Sequence, residues 1–165
     1  MPPGHTPFTV QRKGDEIVIS GVIDETARLV ELVAGAVPGQ RLYLDLHGVT
    51  FINSIGVREW VRLQNAATSA NVQLELRRVA EVLVHQLNIM PATRTASVVK
   101  SFYAGYLCEH CDDQRACLID VATHIEKLSR MEPPRMWCDP CKKPMTFIDP
   151  AELYFSFLAG TSPLR

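Results

Sequence analysis

No cysteine occurs in the first 107 residues of this 165-residue chain; all five lie beyond that point. Charge of one sign is also missing. Seventeen Lys and Arg stand against eighteen Asp and Glu, a formal charge of −1, so the chain has no general pull toward nucleic acid or anionic lipid. Apolar runs stop after a few residues, well short of the roughly 20 that a membrane helix needs, and no membrane partner is expected. The start, Met1-Pro2-Pro3-Gly4-His5, carries neither the basic stretch nor the apolar core of a secretory signal. We therefore expect a cytoplasmic protein with reduced thiols. A glycine-rich phosphate loop, a nucleophile elbow and a metalloprotease helix are all lacking, which argues against an enzyme. No Pro-, Ser- or Gly-rich linker separates Val99 from Cys108, so the second part should leave a strand directly and pack on the first. What is present is the material of a core: 47% of the residues are hydrophobic and 21% charged, as in ordinary globular proteins. The length accommodates one domain of about 100 residues and a small satellite.

Periodicity gives a coarse order of elements. Phe8 to Arg12 and Ile17 to Ser20 are β-prone runs around the turn Lys13-Gly14-Asp15-Glu16, which predicts an antiparallel hairpin. Ala27, Val30, Val33, Ala34 and Val37 recur at helical spacing between Asp24 or Thr26 and Pro38-Gly39; a helix of about three turns is expected. Arg41 to Leu46 alternates as a strand and continues through Val49 to Ile52. Asn53-Ser54 then opens a helix with Val57, Trp60, Val61, Leu63, Gln64 and Ala67 inward, and Arg58, Glu59 and Arg62 toward water. Val72 to Leu76 reads as a strand, Val79 to Leu87 as a short helix and Ala96 to Tyr103 as a final strand. This ββαβαβαβ order implies an α/β fold: a mixed, mostly parallel sheet covered by helices, with an antiparallel hairpin at its start.

The segment Leu42-Tyr43-Leu44-Asp45-Leu46-His47-Gly48-Val49-Thr50-Phe51-Ile52-Asn53-Ser54-Ile55-Gly56-Val57, with Ser20-Gly21-Val22-Ile23-Asp24 before it, resembles the STAS domain of anti-sigma factor antagonists. The likeness covers about 7 to 103, and the domain it implies is expected over 7–104. It implies a non-enzymatic signalling module that binds a regulatory protein such as an anti-sigma-factor-like kinase, with phosphorylation at the start of the second helix breaking the complex. Ser54 is the matching acceptor. Phosphate there would meet unpaired backbone N–H groups and the positive end of the helix dipole, while adding negative charge to a surface a partner must cover. The family pattern has Asp immediately before the acceptor; this chain has Asn53, which caps a helix equally well without charge. Two readings of Asn53 and Ser54, helix cap and phosphorylation switch, stay open. Arg58, Glu59 and Arg62, with Asn53, are the candidate partner-binding residues, against the alternative of a solvated helix face. Asp45 and His47 read as structural, and Trp60 as core.

Cys108-Glu109-His110-Cys111 and Cys138-Asp139-Pro140-Cys141 carry the strongest chemical signal. Two C-x-x-C pairs supply four thiolates, and each short loop can turn both sulfurs onto one tetrahedral Zn²⁺. The 26 intervening residues add little closure cost, which grows only logarithmically. The pattern over 105–165 resembles a zinc ribbon with one structural zinc and no open position for substrate. Disulfides, a redox pair and an iron–sulfur cluster are the competing readings. His110 and His124 are less suited as ligands beside four paired cysteines. Cys117, Leu118, Val121, Ala122, Ile125 and Leu128 share helical spacing, which predicts an inserted helix with Cys117 as a small buried hydrophobe. Asp149-Pro150-Ala151-Glu152 predicts a last, largely apolar helix with Asp149 as cap and Pro150 at its first position. The alternative function is a nucleic-acid-binding zinc ribbon. Its basic residues, Arg130, Arg135, Lys142 and Lys143, are few and mixed with Glu132 and Asp139, so nucleic acid is not expected as partner.

Overall fold

The computed structural model describes residues 6–159. The Pro-rich start and the last six residues of the second unit lie outside them. The chain forms two sheets. The first contains β1 (Thr9–Lys13), β2 (Glu16–Ile23), β3 (Arg41–Ile52), β4 (Gln73–Arg77) and β5 (Ser97–Val99), in that order across the sheet. β1 and β2 are antiparallel, and every later pair is parallel. The expected mixed, mostly parallel sheet is therefore present. Ile17, Ile19, Leu42, Leu44, Leu46, Leu74 and Leu76 point to one face and are fully buried. Helices α1 (Ser54–Ser69) and α2 (Glu81–Ile89) contribute Trp60, Leu63, Leu83, Val84 and Leu87 to the same core. The opposite face carries Tyr43, Asp45, Glu75 and Arg77, with the Arg77 guanidinium 4.2 Å from the Tyr43 ring centroid.

The helix expected from Asp24 to Val37 does not form. Only Leu29–Val33 winds, as a short 3-10 turn. Asp24 Oδ1 instead accepts hydrogen bonds from the backbone N–H and the hydroxyl of Thr26, at 2.9 and 2.7 Å, a local turn that competes with a helix start. The β-branched Val30, Val33 and Val37 weaken the helix further. Gly35, at φ +76°, ends it.

The strand expected from Ala96 to Tyr103 is divided. β5 closes the first sheet, and β6 (Ser101–Leu107) opens the second. Lys100 is the pivot: its N–H donates to Leu76 O of the first sheet at 2.8 Å, and its carbonyl accepts from Val121 N at 2.9 Å. The change of sheet thus falls at Lys100. The second sheet adds β7 (Gln114–Asp120), β8 (Met136–Trp137) and β9 (Pro144–Phe147), in the order β7-β6-β9-β8, all antiparallel.

Between the cysteine pairs the expected helix from Cys117 is corrected to strand β7 and the short α3 (Ile125–Ser129). Gln114, Ala116, Leu118 and Asp120 are exposed while Arg115, Cys117 and Ile119 turn inward, a period of two that pairing with β6 enforces. Cys117, opposite Ala104, is half-buried. At the end of the chain Pro150 is itself the cap of α4 (Ala151–Tyr154), and no side chain caps it, so Asp149 does not take the expected role. Tyr154, Phe155 and Phe157 are buried. They join Phe102 and Phe147 in an aromatic cluster between the sheets, with Phe147 stacked on Phe155 at 5.1 Å. The Asn88 side chain fastens this segment to α2, donating to Tyr154 O and accepting from Phe157 N at 2.9 and 2.7 Å.

Candidate metal centre and helix surface

Each cysteine pair occupies the turn of a β-hairpin. Cys108–Cys111 lies between β6 and β7, and Cys138–Cys141 between β8 and β9. The two turns have the same construction. Cys108 N donates to Asp113 O and Cys138 N to Lys143 O, both at 2.8 Å. The residue after each second cysteine, Asp112 or Lys142, is left-handed at φ +56° or +58°. In each pair the first cysteine is buried and the second is more open. Pairing of Tyr106 with Phe147 and of Leu107 with Thr146 sets the hairpins side by side, so that both turns meet at one end.

The four sulfurs consequently converge. Cys108 and Cys141 are 3.4 Å apart, as are Cys111 and Cys138, and all four Sγ atoms lie within 4.8 Å of one another. A tetrahedral ion with metal–sulfur bonds of about 2.3 Å requires edges of about 3.8 Å, which these distances bracket. A disulfide needs about 2.05 Å; none of the five cysteines is bonded to another. Neither pair opens a helix, as a thioredoxin-like redox site requires. Cys117, His110 and His124 are not among the converging donors.

Electrostatics point the same way. Burial pushes the Cys108 thiol up, but the backbone N–H groups of Cys111 and His110 outweigh it and bring the value down to about 7. The N–H of Cys141 pulls the Cys138 thiol down, while burial and the neighbouring sulfurs push it up to about 12. Four thiols so close cannot all ionise without a cation among them. One element is invisible to motif reading. Arg115 on β7 bonds Asp113 through Nε at 2.7 Å and also pairs with Asp139 of the other turn, clasping the hairpins beside the sulfurs. Its signal, Asp113-x-Arg115 on one strand face, emerges only once 114–120 is read as a strand.

The other candidate residues lie along α1, which packs on Leu29–Val33, β3, β4 and the Pro91–Arg94 turn, whereas the second sheet approaches α2. Asn53 is the N-cap, its Oδ1 accepting from Gly56 N at 2.7 Å. Gly56 is required by contact: a Cβ there would stand 2.0 Å from Ile23 O. Ser54, the first helical residue, is exposed, as are Arg58 and Arg62. Arg62 and Glu59 pair at 2.5 Å. Trp60 is buried and donates through Nε1 to Thr93 O at 2.7 Å. The sequence did not single out Phe51 and Ile55, which are 54% and 41% exposed and flank Ser54; Phe51 alternates with buried Ile52, the signal that could have found it. Asp45 bonds Arg78 Nε and His47, both at 2.9 Å, and so ties β3 to the end of β4. No helix is long and apolar enough to cross a membrane among the described residues.

No protein-family model matches the chain, and no curated protein matches it.

Proposed function

We propose that this chain is a STAS-like, non-enzymatic signalling module of the cytoplasm, which meets a regulatory protein through the exposed start of α1 and carries one structural Zn²⁺ at Cys108, Cys111, Cys138 and Cys141. The observation that carries the binding role is the surface made by Phe51, Ser54 and Ile55. Two apolar side chains stand in water around a hydroxyl at a helix N-terminus, where burying them on a partner is favourable. Phosphate on Ser54 would place nearly two negative charges at the centre of that contact. An anti-sigma-factor-like kinase is the class of partner the likeness implies. The spacing of the sulfurs supports a single ion, since a multi-iron cluster would need them further apart. With all four positions filled by protein, zinc there would hold the two hairpins together and leave no site for substrate.

The test combines metal analysis with capture of binding proteins from the native host by wild type, Phe51→Asp and Ser54→Glu. One zinc per chain is expected, and a bound regulatory protein that Phe51→Asp loses and Ser54→Glu weakens. A partner retained equally by both variants would overturn the assignment of the α1 surface.

A further inference from the structure

We propose that the outer face of the β8–β9 hairpin docks an acidic peptide segment of a partner protein, one that carries an aromatic or large apolar side chain. The two tryptophans of the chain have opposite fates. Trp60 is fully committed to the core, but Trp137 is 56% exposed, and the register of β8 with β9 sets it beside exposed Pro144. Three cations stand near it along the chain. The Arg135 guanidinium lies 6.0 Å from the ring centroid, and Lys142 and Lys143, both exposed, immediately precede Pro144.

Among the described residues none of these three cations pairs with a carboxylate. The structure supplies the reason. Asp139, the one carboxylate in the second cysteine turn, is paired with Arg115, while Glu109 of the first turn accepts from the Thr146 hydroxyl at 3.3 Å and keeps its charge. The acid of the second cysteine turn is thus neutralised by Arg115 and not by Arg135, Lys142 or Lys143. Glu132, three residues before Arg135, is the remaining acid of this segment.

An exposed tryptophan with a guanidinium beside it and two unpaired lysines in the adjoining turn resembles the anchor-and-rim arrangement of a protein docking site. Its charge complement is a short acidic stretch. A nucleic acid suits it less well, because polynucleotide affinity grows with each phosphate neutralised. One hairpin offers three cations, on a chain whose overall charge is −1.

The experiment uses the full metal-loaded chain and fluorescence anisotropy of a labelled pentapeptide, Glu-Asp-Phe-Asp-Glu, with its Phe-to-Ala analogue and a labelled oligo-dT of about eight nucleotides as comparisons. Saturable binding of the Phe peptide is expected, weakening as salt rises. The pair Arg135→Glu, Lys143→Glu should weaken it about tenfold or more, and Trp137→Ala about fivefold. Lys143 serves the cysteine turn only through its carbonyl, so its side chain is free to change; if the reversed pair loses metal, Arg135→Gln with Lys143→Gln is read instead. Absence of saturable binding, equal affinity in variants that retain their metal, or tighter binding of oligo-dT than of the peptide would each overturn the proposal.

Discussion

Removing the ion proposed at the four cysteines should unfold one part of the molecule selectively. The segment 134–147 contains β8, the second cysteine turn and β9, and its strands pair with the rest of the second sheet through only two residue pairs. Ordering its backbone and side chains costs on the order of 20 kcal/mol at about 1.5 kcal/mol per residue. Burial of Pro134 and Met145 and half-burial of Met136 and Phe147 return about 7 kcal/mol. The deficit of about 13 kcal/mol falls within the range of about 10–16 kcal/mol that a structural zinc supplies. Chelation, or Cys138→Ser, should thus abolish amide protection across 134–147 in hydrogen exchange. Protection of Leu42, Leu44, Leu46 and Leu74 in the first sheet should remain. Near-ultraviolet circular dichroism should fall as well, because Phe147 leaves its stack on Phe155. Full protection of 134–147 in metal-free protein would show that packing alone holds the hairpin and refute the reasoning.

Two further outcomes follow from the first sheet. Asn53→Ala removes the acceptor for Gly56 N and should cost about 1 kcal/mol, a fall of about 2–4 °C in Tm for a chain of this size, read by thermal denaturation. Asp45 is pushed up by burial, but the hydrogen bonds from Arg78 and His47 outweigh this and hold its carboxyl below the ordinary aspartate range. Its contribution is therefore present above about pH 4 and lost as pH falls through the lowered value. Asp45→Asn should destabilise by about 1 kcal/mol at neutral pH, allowing for solvent screening, and the gap to wild type should close below pH 4 in acid titrations of stability.

The parts legible from the sequence are those where one local rule acts without competition. β3 and α1 announce themselves by alternation, an Asn cap and helical spacing, and the structure places both within a residue or two. The cysteine pairs are legible because each is a short self-contained turn. Where two rules compete, reading fails. Val30, Val33 and Val37 satisfy helical spacing, but their branching and the Asp24 turn prevail. Cys117 to Leu128 satisfies it too, yet pairing of β7 with β6 imposes a period of two on its first half. The clasp of Arg115 with Asp113 and Asp139 joins residues 24 apart, and the exposure of Phe51, Ile55 and Trp137 depends on what fails to cover them. Neither kind of fact resides in a local pattern.

The passage of the chain through Lys100 constrains how this architecture can be rearranged. One residue serves as backbone partner to both sheets, and Val79 bridges to Phe102 just beyond it. There is no slack at the joint, so twisting the second sheet levers the edge of the first directly. Transplanting the cysteine hairpins onto another scaffold would therefore require carrying the end of β4 with them.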